Sequence, residues 1–312
     1  MSYIVSADVA ALMRWQGAQG MRRLGEATLE EARSNRRAVN ALLPASSYPG
    51  TLSRCEPTTA IGPLPLLIAH PGPAMQHTAR LLVYVHGGGW SVGRANDYIA
   101  LIQALAHATG TTVVAPDFKL APEHPFPHAL HQIDALIEHI QTQPLAGHSL
   151  ARQIVLVGDS SGGNLCASSA LHAARAGRPV DAQVLIYPAV DPADPLTEAA
   201  TDMPALTPAA LRWFLNFYVP EPTQRAQARV SPARDPDLDL SPTTVLITAE
   251  HDILNEQIDK YRAALQQRHV PVRHHRIPGT IHTFIQLPGL LAGADLAIQL
   301  IAGELAHAIE PA

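Results

Sequence analysis

Six short runs of apolar or β-branched residues, separated by longer amphipathic segments, constrain this chain more than any other feature. They are LLVYVH (81–86), TTVVAP (111–116), QIVLVGD (153–159), AQVLIYP (182–188), TTVLITAE (243–250) and VRHHRI (272–277). Strands buried on both faces read as continuous apolar runs rather than as alternating ones, and intervening helices demand parallel crossovers. The pattern, which begins near residue 64, therefore predicts an open, mostly parallel central sheet with helices on both sides, an α/β fold. With 312 residues, 47% hydrophobic and 16% charged, the chain can bury a substantial core as one domain with an insertion.

Two regions depart from this rhythm. The first 45 or so residues read as helix. Ser6 is placed to cap a segment with Val9, Leu12, Met13 and Gln16 on one face, and Thr28 with Glu31 forms a capping box before a helix that runs to Pro44. Later, an Asp- and Pro-rich loop after Pro188 leads into TPAALRWFLNFYV (207–219), in which Thr207 and Pro208 make an N-cap and first-turn pair. Leu211, Phe214, Leu215 and Tyr218 fall on one face of this helix, Trp213 and Phe217 on another. A helix apolar nearly all round needs a cover. The expectation is a helical cap built from residues 1–50 and an insertion at about 190–230, over a catalytic domain spanning 51–312.

Gly158-Asp159-Ser160-Ser161-Gly162-Gly163 follows the strand QIVLV and matches GxSxG. A strand-to-helix turn that sharp needs flanking residues almost without side chains, and it lifts the serine above the sheet at a helix N-terminus, where negative charge is stabilised. The helix is expected from Asn164 to about Ala176. His86-Gly87-Gly88-Gly89-Trp90 directly follows LLVYV. Consecutive glycines leave N–H groups bare to a substrate carbonyl, each such donor being worth on the order of 3 kcal/mol. Gly87, Gly88 and Gly89, with the N–H of Ser161, form the candidate oxyanion hole. A phosphate loop would want a Lys-Ser/Thr pair where Trp90-Ser91 stands. His86 is assigned to orienting the loop.

A nucleophilic serine needs a base and an acid, which in this fold follow in the order Ser, Asp or Glu, His after late strands. Asp252 follows TTVLITAE and His282 follows VRHHRI, 92 residues past Ser160 and 30 residues past Asp252. Glu250, His251, Glu256, His274 and His275 compete. His274 and His275 lie within a strand, facing opposite ways; Glu250 falls on the strand and Glu256 on the next helix.

Together, HGGGW (86–90), APDFKLAPEHPFPHAL (115–130), GDSSGGNL (158–165), TAEHDIL (248–254) and PGTIHTF (278–284) resemble the motifs of the hormone-sensitive-lipase-like α/β-hydrolases, the bacterial family IV esterases, in the same order. The resemblance implies the α/β-hydrolase fold, Ser160 as nucleophile, Asp252 as acid, His282 as base and an oxyanion hole at Gly88, Gly89 and Ser161. It also implies a helical cap, a small-molecule ester substrate and no cofactor, and it admits a homodimer through the last strand and helix. Asp159 and Glu123 match positions that support loops by hydrogen bonding. Ser161 replaces the commoner alanine, Phe118-Lys119 the usual Tyr-Arg, and Asn255 a frequent second Asp.

Other features narrow the function. A net charge of −5 and a pI near 6.3 oppose a nucleic-acid footprint. Cys55 and Cys166 form no CxxC pair, a usage that fits a reducing compartment. The N-terminal stretch does not read as a secretory signal, and no run of about 18 apolar residues is present for a membrane span, so the expected setting is cytoplasmic. His124, His128 and His131 could share a helical face, but Pro125 and Pro127 interrupt it, and no metal is expected. Trp90, Trp213, Phe214 and Phe217 are candidates for the substrate pocket, equally explained by packing. The expected reaction is acyl transfer from a short- to medium-chain ester to water. A lactonase, amidase, formamidase or deacetylase would use the same groups, whereas a non-catalytic receptor on this fold would usually have lost the base.

Overall fold

The structure is a computed structural model describing residues 3–44, 48–72, 80–145, 150–194 and 203–308. Its eight-stranded sheet comprises β1 (Gly50–Cys55), β2 (Leu66–Pro71), β3 (Arg80–Val85), β4 (Thr112–Pro116), β5 (Gln153–Asp159), β6 (Ala182–Ile186), β7 (Thr243–His251) and β8 (Val272–Ile281), in the order β1-β2-β4-β3-β5-β6-β7-β8. The two pairings of β2, with β1 and with β4, are antiparallel and the rest parallel.

The helices are α1 (Ala7–Ala18), α2 (Leu29–Asn40), α3 (Ile99–Thr109), α4 (His128–Thr142), α5 (Ser161–Arg175), α6 (Pro208–Tyr218), α7 (Asn255–Gln267) and α8 (Ala292–Ala308). Helix α3 packs on α8 and α4 on α5. Residues 81–85 of β3 and 154–159 of β5, like all of β6, are buried, as continuous apolar runs require. All six strands expected from the sequence are present, so the predicted open, mostly parallel sheet flanked by helices is the observed one. No described helix is long and apolar enough to cross a membrane.

At the N-terminus, the capping box of α2 forms as expected, with Glu31 N–H donating to Thr28 Oγ1 (3.2 Å) and Thr28 N–H to Glu31 Oε2 (2.7 Å). The helix stops at Asn40, a turn short of Pro44. Ser6 precedes α1 but its side chain makes no capping bond to the helix backbone; its hydroxyl turns to the Asp8 carboxylate, which takes the Val9 N–H (2.8 Å) in its place. Met13, expected on the packed face, is exposed, and Val9 and Leu12 carry the burial. Of the two segments expected to form a cap, residues 1–2, 45–47 and 195–202 lie outside the described residues.

Parallel strands bring their carboxyl ends to one rim. In that register Val85 pairs with Gly158, Asp159 with Ile186, and Ile281 with His251. The loops beginning at His86, Ser160, Tyr187, Asp252 and His282 therefore leave the sheet side by side, although they span nearly 200 residues of sequence.

Candidate active site

Ser160 occupies the turn from β5 to α5 with φ 53° and ψ −118°, a backbone region that residues with side chains enter only under strain. The turn is held at both ends: Ser160 N–H donates to Ile186 O (2.8 Å), and the N–H groups of Asn164 (3.1 Å) and Ala189 (3.2 Å) donate to Ser160 O. The flanking glycines are sterically required. A Cβ on Gly158 would lie 2.5 Å from Gly162 O, and one on Gly162 only 2.0 Å from Val85 O. Helix α5 begins at Ser161, three residues earlier than expected, because the strained serine itself makes the turn.

His282 and Asp252 meet this serine. The imidazole Nε2 lies 2.8 Å from Ser160 Oγ and Nδ1 2.6 Å from Asp252 Oδ2. Both partners of the second bond are nearly inaccessible to solvent, His282 at 3% and Asp252 at 5% exposure. The other carboxylate oxygen of Asp252 accepts the Leu254 N–H (3.0 Å), and the Tyr187 ring sits 4.6 Å from the imidazole, fixing its plane. The competitors are engaged elsewhere. His251 Nε2 bonds to Ile4 O, His274 to Thr248, and His275 to Glu304, while the Glu250 carboxylate accepts the Gly279 N–H.

The glycine loop after β3 divides its N–H groups. Gly87 N–H donates to Asp159 Oδ1 (2.7 Å), so it is not a free oxyanion donor, which corrects its inclusion in the candidate hole. Among the described residues no acceptor takes the N–H of Gly88 or Gly89, and that of Ser161, first in its helix, has no intrahelical partner. His86 is buried between the rings of Tyr98 and Phe118 (centroids 5.0 and 4.4 Å), with Nδ1 2.8 Å from Gly87 O, as befits a loop-orienting residue. Burial pushes its imidazole below the ordinary histidine range, so it stays neutral. Cys166 is fully buried and desolvation pushes its thiol well up, leaving it inert as a second nucleophile. Among the described residues, no cluster of three or more His, Cys, Asp or Glu is arranged to hold a metal ion.

An apolar cavity of about 50 Å³ opens above Ser160 and His282. Of the four aromatic pocket candidates, Trp90 and Phe214 line it, with Trp90 stacked on Tyr218 at 4.5 Å. Trp213 and Phe217 do not line it. Four residues apart, they share a different side of α6 and pack edge-on to one another at 4.8 Å. Leu24, Leu206 and Leu211 add to the walls; Leu24 and Leu206 escaped sequence reasoning because nothing local marks them as facing the serine, whereas Leu211 shares the α6 face of Phe214. Leu24 comes from the N-terminal segment and Leu206 and Leu211 from the insertion. The two segments touch where Gly25 packs on the Ala210 backbone, a Cβ there lying 3.2 Å from Ala210 Cα.

Known proteins carry the same frame. The family model described as alpha/beta hydrolase fold matches residues 82–286. An ethyl acetate hydrolase of Pseudomonas putida is 30% identical over 282 residues, covering 87% of this chain and 88% of that one. A solved thermostable esterase from Pseudomonas putida ECU1011 superposes with a TM-score of 0.90 over 99% of both chains at 24% identity, which bears on fold alone. An esterase of the archaeon Pyrobaculum calidifontis superposes at 0.83, with 26% identity over 97% of this chain and 98% of that one. With about two thirds of its length matched by the family model, the chain belongs to the α/β-hydrolase fold family.

Proposed function

We propose that the protein is a carboxylesterase of the hormone-sensitive-lipase-like group, with Ser160 as nucleophile, His282 as general base and Asp252 as the acid that orients it. The observation that carries this reading is the continuous hydrogen-bonded chain from Ser160 Oγ through His282 to Asp252 at the floor of an apolar cavity. With Nδ1–H donated to Asp252, Nε2 is left to accept the Ser160 proton as Oγ attacks the ester carbonyl. The oxyanion forms against the N–H groups of Gly88, Gly89 and Ser161. Protonated His282 then delivers its proton to the departing alkoxide, and a water repeats the sequence on the acyl-enzyme. Ester-hydrolysing relatives support the substrate class.

The small size of the cavity, about 50 Å³, and its close apolar walls at Leu24, Leu206, Leu211 and Phe214 favour a short acyl chain. The N-terminal segment and the insertion act as the cap, as their shared wall around Leu24 and Leu206 suggests. The test is hydrolysis of p-nitrophenyl esters from acetate to decanoate by wild type, Ser160→Ala and Asp252→Asn. Turnover fastest on short chains is expected. It should be abolished in Ser160→Ala and reduced by on the order of 10³–10⁴ in Asp252→Asn, where the imidazole tautomer is reversed. A folded wild type inert on every ester would refute the reading and direct attention to lactones and amides.

A further inference from the structure

The N–H and the C=O of Gly87 are held by different partners, and both lead to one arginine. Gly87 N–H donates to Asp159, whose carboxylate is fully buried and also accepts Tyr84 Oη–H (2.5 Å) and Gln286 Nε2–H (2.5 Å). Gly87 O accepts the Tyr98 hydroxyl (3.0 Å). Arg36 of α2 reaches each path. Its Nη1 donates to Gln286 Oε1, and its guanidinium lies 4.4 Å from the centroid of the Tyr98 ring, while Nη2 touches Asp97 O (3.4 Å).

A buried carboxylate bonded only to neutral donors needs a nearby cation to offset its desolvation. None of the three groups bonded to Asp159 is a cation; Arg36 stands one amide away, through Gln286. Gln286 belongs to the turn that follows His282, its own N–H donating to Thr283 O (3.1 Å). One residue of the N-terminal segment thus braces the glycine loop on one side and the histidine turn on the other.

We infer that Arg36 is a positioning residue for ester hydrolysis, which holds the glycine loop and the His282 turn in their working arrangement through Gln286–Asp159 and Tyr98, and so makes docking of the N-terminal segment a condition of full turnover. The inference rests on the carboxylesterase reading. It concerns the placement of donors that meet only the oxyanion, so its signature is in kcat rather than KM.

The experiment compares wild type, Arg36→Met, Arg36→Lys, Gln286→Met and the double variant Arg36→Met/Gln286→Met on p-nitrophenyl acetate, with folding checked by circular dichroism. Arg36→Met should lower kcat about 10-fold with KM within twofold, a smaller loss than the 10²–10³ that follows outright removal of an oxyanion donor. Arg36→Lys, which keeps the cation, should recover kcat to within about threefold of wild type. Because the Gln286 path is common to both residues while the Tyr98 path belongs to Arg36 alone, the double variant should lose more than Gln286→Met but clearly less than the product of the two single losses. Should Arg36→Met fail to fold, Gln286→Met decides the matter: kcat about 10-fold down with KM within twofold supports the inference, and an unchanged kcat overturns it. Unchanged kcat in a folded Arg36→Met, a Lys variant no better than Met, or losses that multiply in the double variant would each overturn the inference. An active wild type in those cases leaves the esterase reading standing, whereas a wild type inert on all esters removes both.

Discussion

Phe214 sets the depth of the cavity, and shortening it should change which acyl chains the protein accepts. Its ring, 4% exposed, lies against the glycine loop so closely that a Cβ on Gly89 would fall 2.2 Å from the ring. Phe214→Ala removes that wall from a space of about 50 Å³. Each methylene of a longer acyl chain that then becomes buried is worth about 0.8 kcal/mol, or roughly fourfold in kcat/KM. Four methylenes, from acetate to hexanoate, raise the hexanoate-to-acetate ratio by at most about 200-fold. The same truncation costs about 3–5 kcal/mol of stability, towards the low end here because the cavity already opens to solvent. The assay is kcat/KM across the p-nitrophenyl series at a temperature where circular dichroism shows both proteins folded. A ratio changed by less than threefold in a folded variant would refute the placement of Phe214 as the wall of the acyl pocket.

Two further outcomes follow from the same geometry. Gly162→Ala places a methyl 2.0 Å from Val85 O, a backbone atom that cannot swing away; we expect at least about 3 kcal/mol of lost stability and loss of turnover, and a variant melting and turning over like wild type would show that the elbow has more room than its contacts indicate. Arg33 pairs with both oxygens of Glu123 (2.7 and 2.9 Å), and this hydrogen bonding draws the Glu123 carboxyl down to about 2. A carboxyl lowered on folding stabilises the native state fully above its unfolded value near 4.5, and this stabilisation is lost as pH falls from there towards 2. Because Glu123 is half exposed, the pair is worth no more than about 1 kcal/mol. Arg33→Met should thus lose more stability at pH 7 than at pH 3 in urea melts, the remainder reflecting bonds to Ser91 O and Ala121 O that pH does not touch; equal losses at both pH values would dismiss the charge contribution.

The central strands were legible because each is buried on both faces and so reads as an unbroken apolar run, as VLV within β5 and VLI within β6 do. Strand β1 was not, since GTLSRC lies at the sheet edge with its residues largely exposed and has no pattern to betray it. Ser160, Asp252 and His282 could be singled out because each follows a strand on the rim where parallel carboxyl ends gather. The partner of Gly87 was hidden: glycines advertise bare N–H groups, but only the fold reveals that one of them is taken by Asp159. Leu24 shares the cavity with residues more than 130 positions away, a neighbour relation that local periodicity does not encode. In α6 the sequence showed which residues were apolar, and only docking determined that Phe214, rather than Trp213 or Phe217, faces the serine.

The left-handed backbone at Ser160 sets usefulness against durability. Holding a residue with a side chain there costs on the order of 1–3 kcal/mol, a debt that glycine alone would not incur. A chain that exchanged this serine for glycine would lose its chemistry and gain in melting temperature. Selection for robustness alone would favour glycine at this turn, so a serine held there trades stability for the hydroxyl that the proposed chemistry requires.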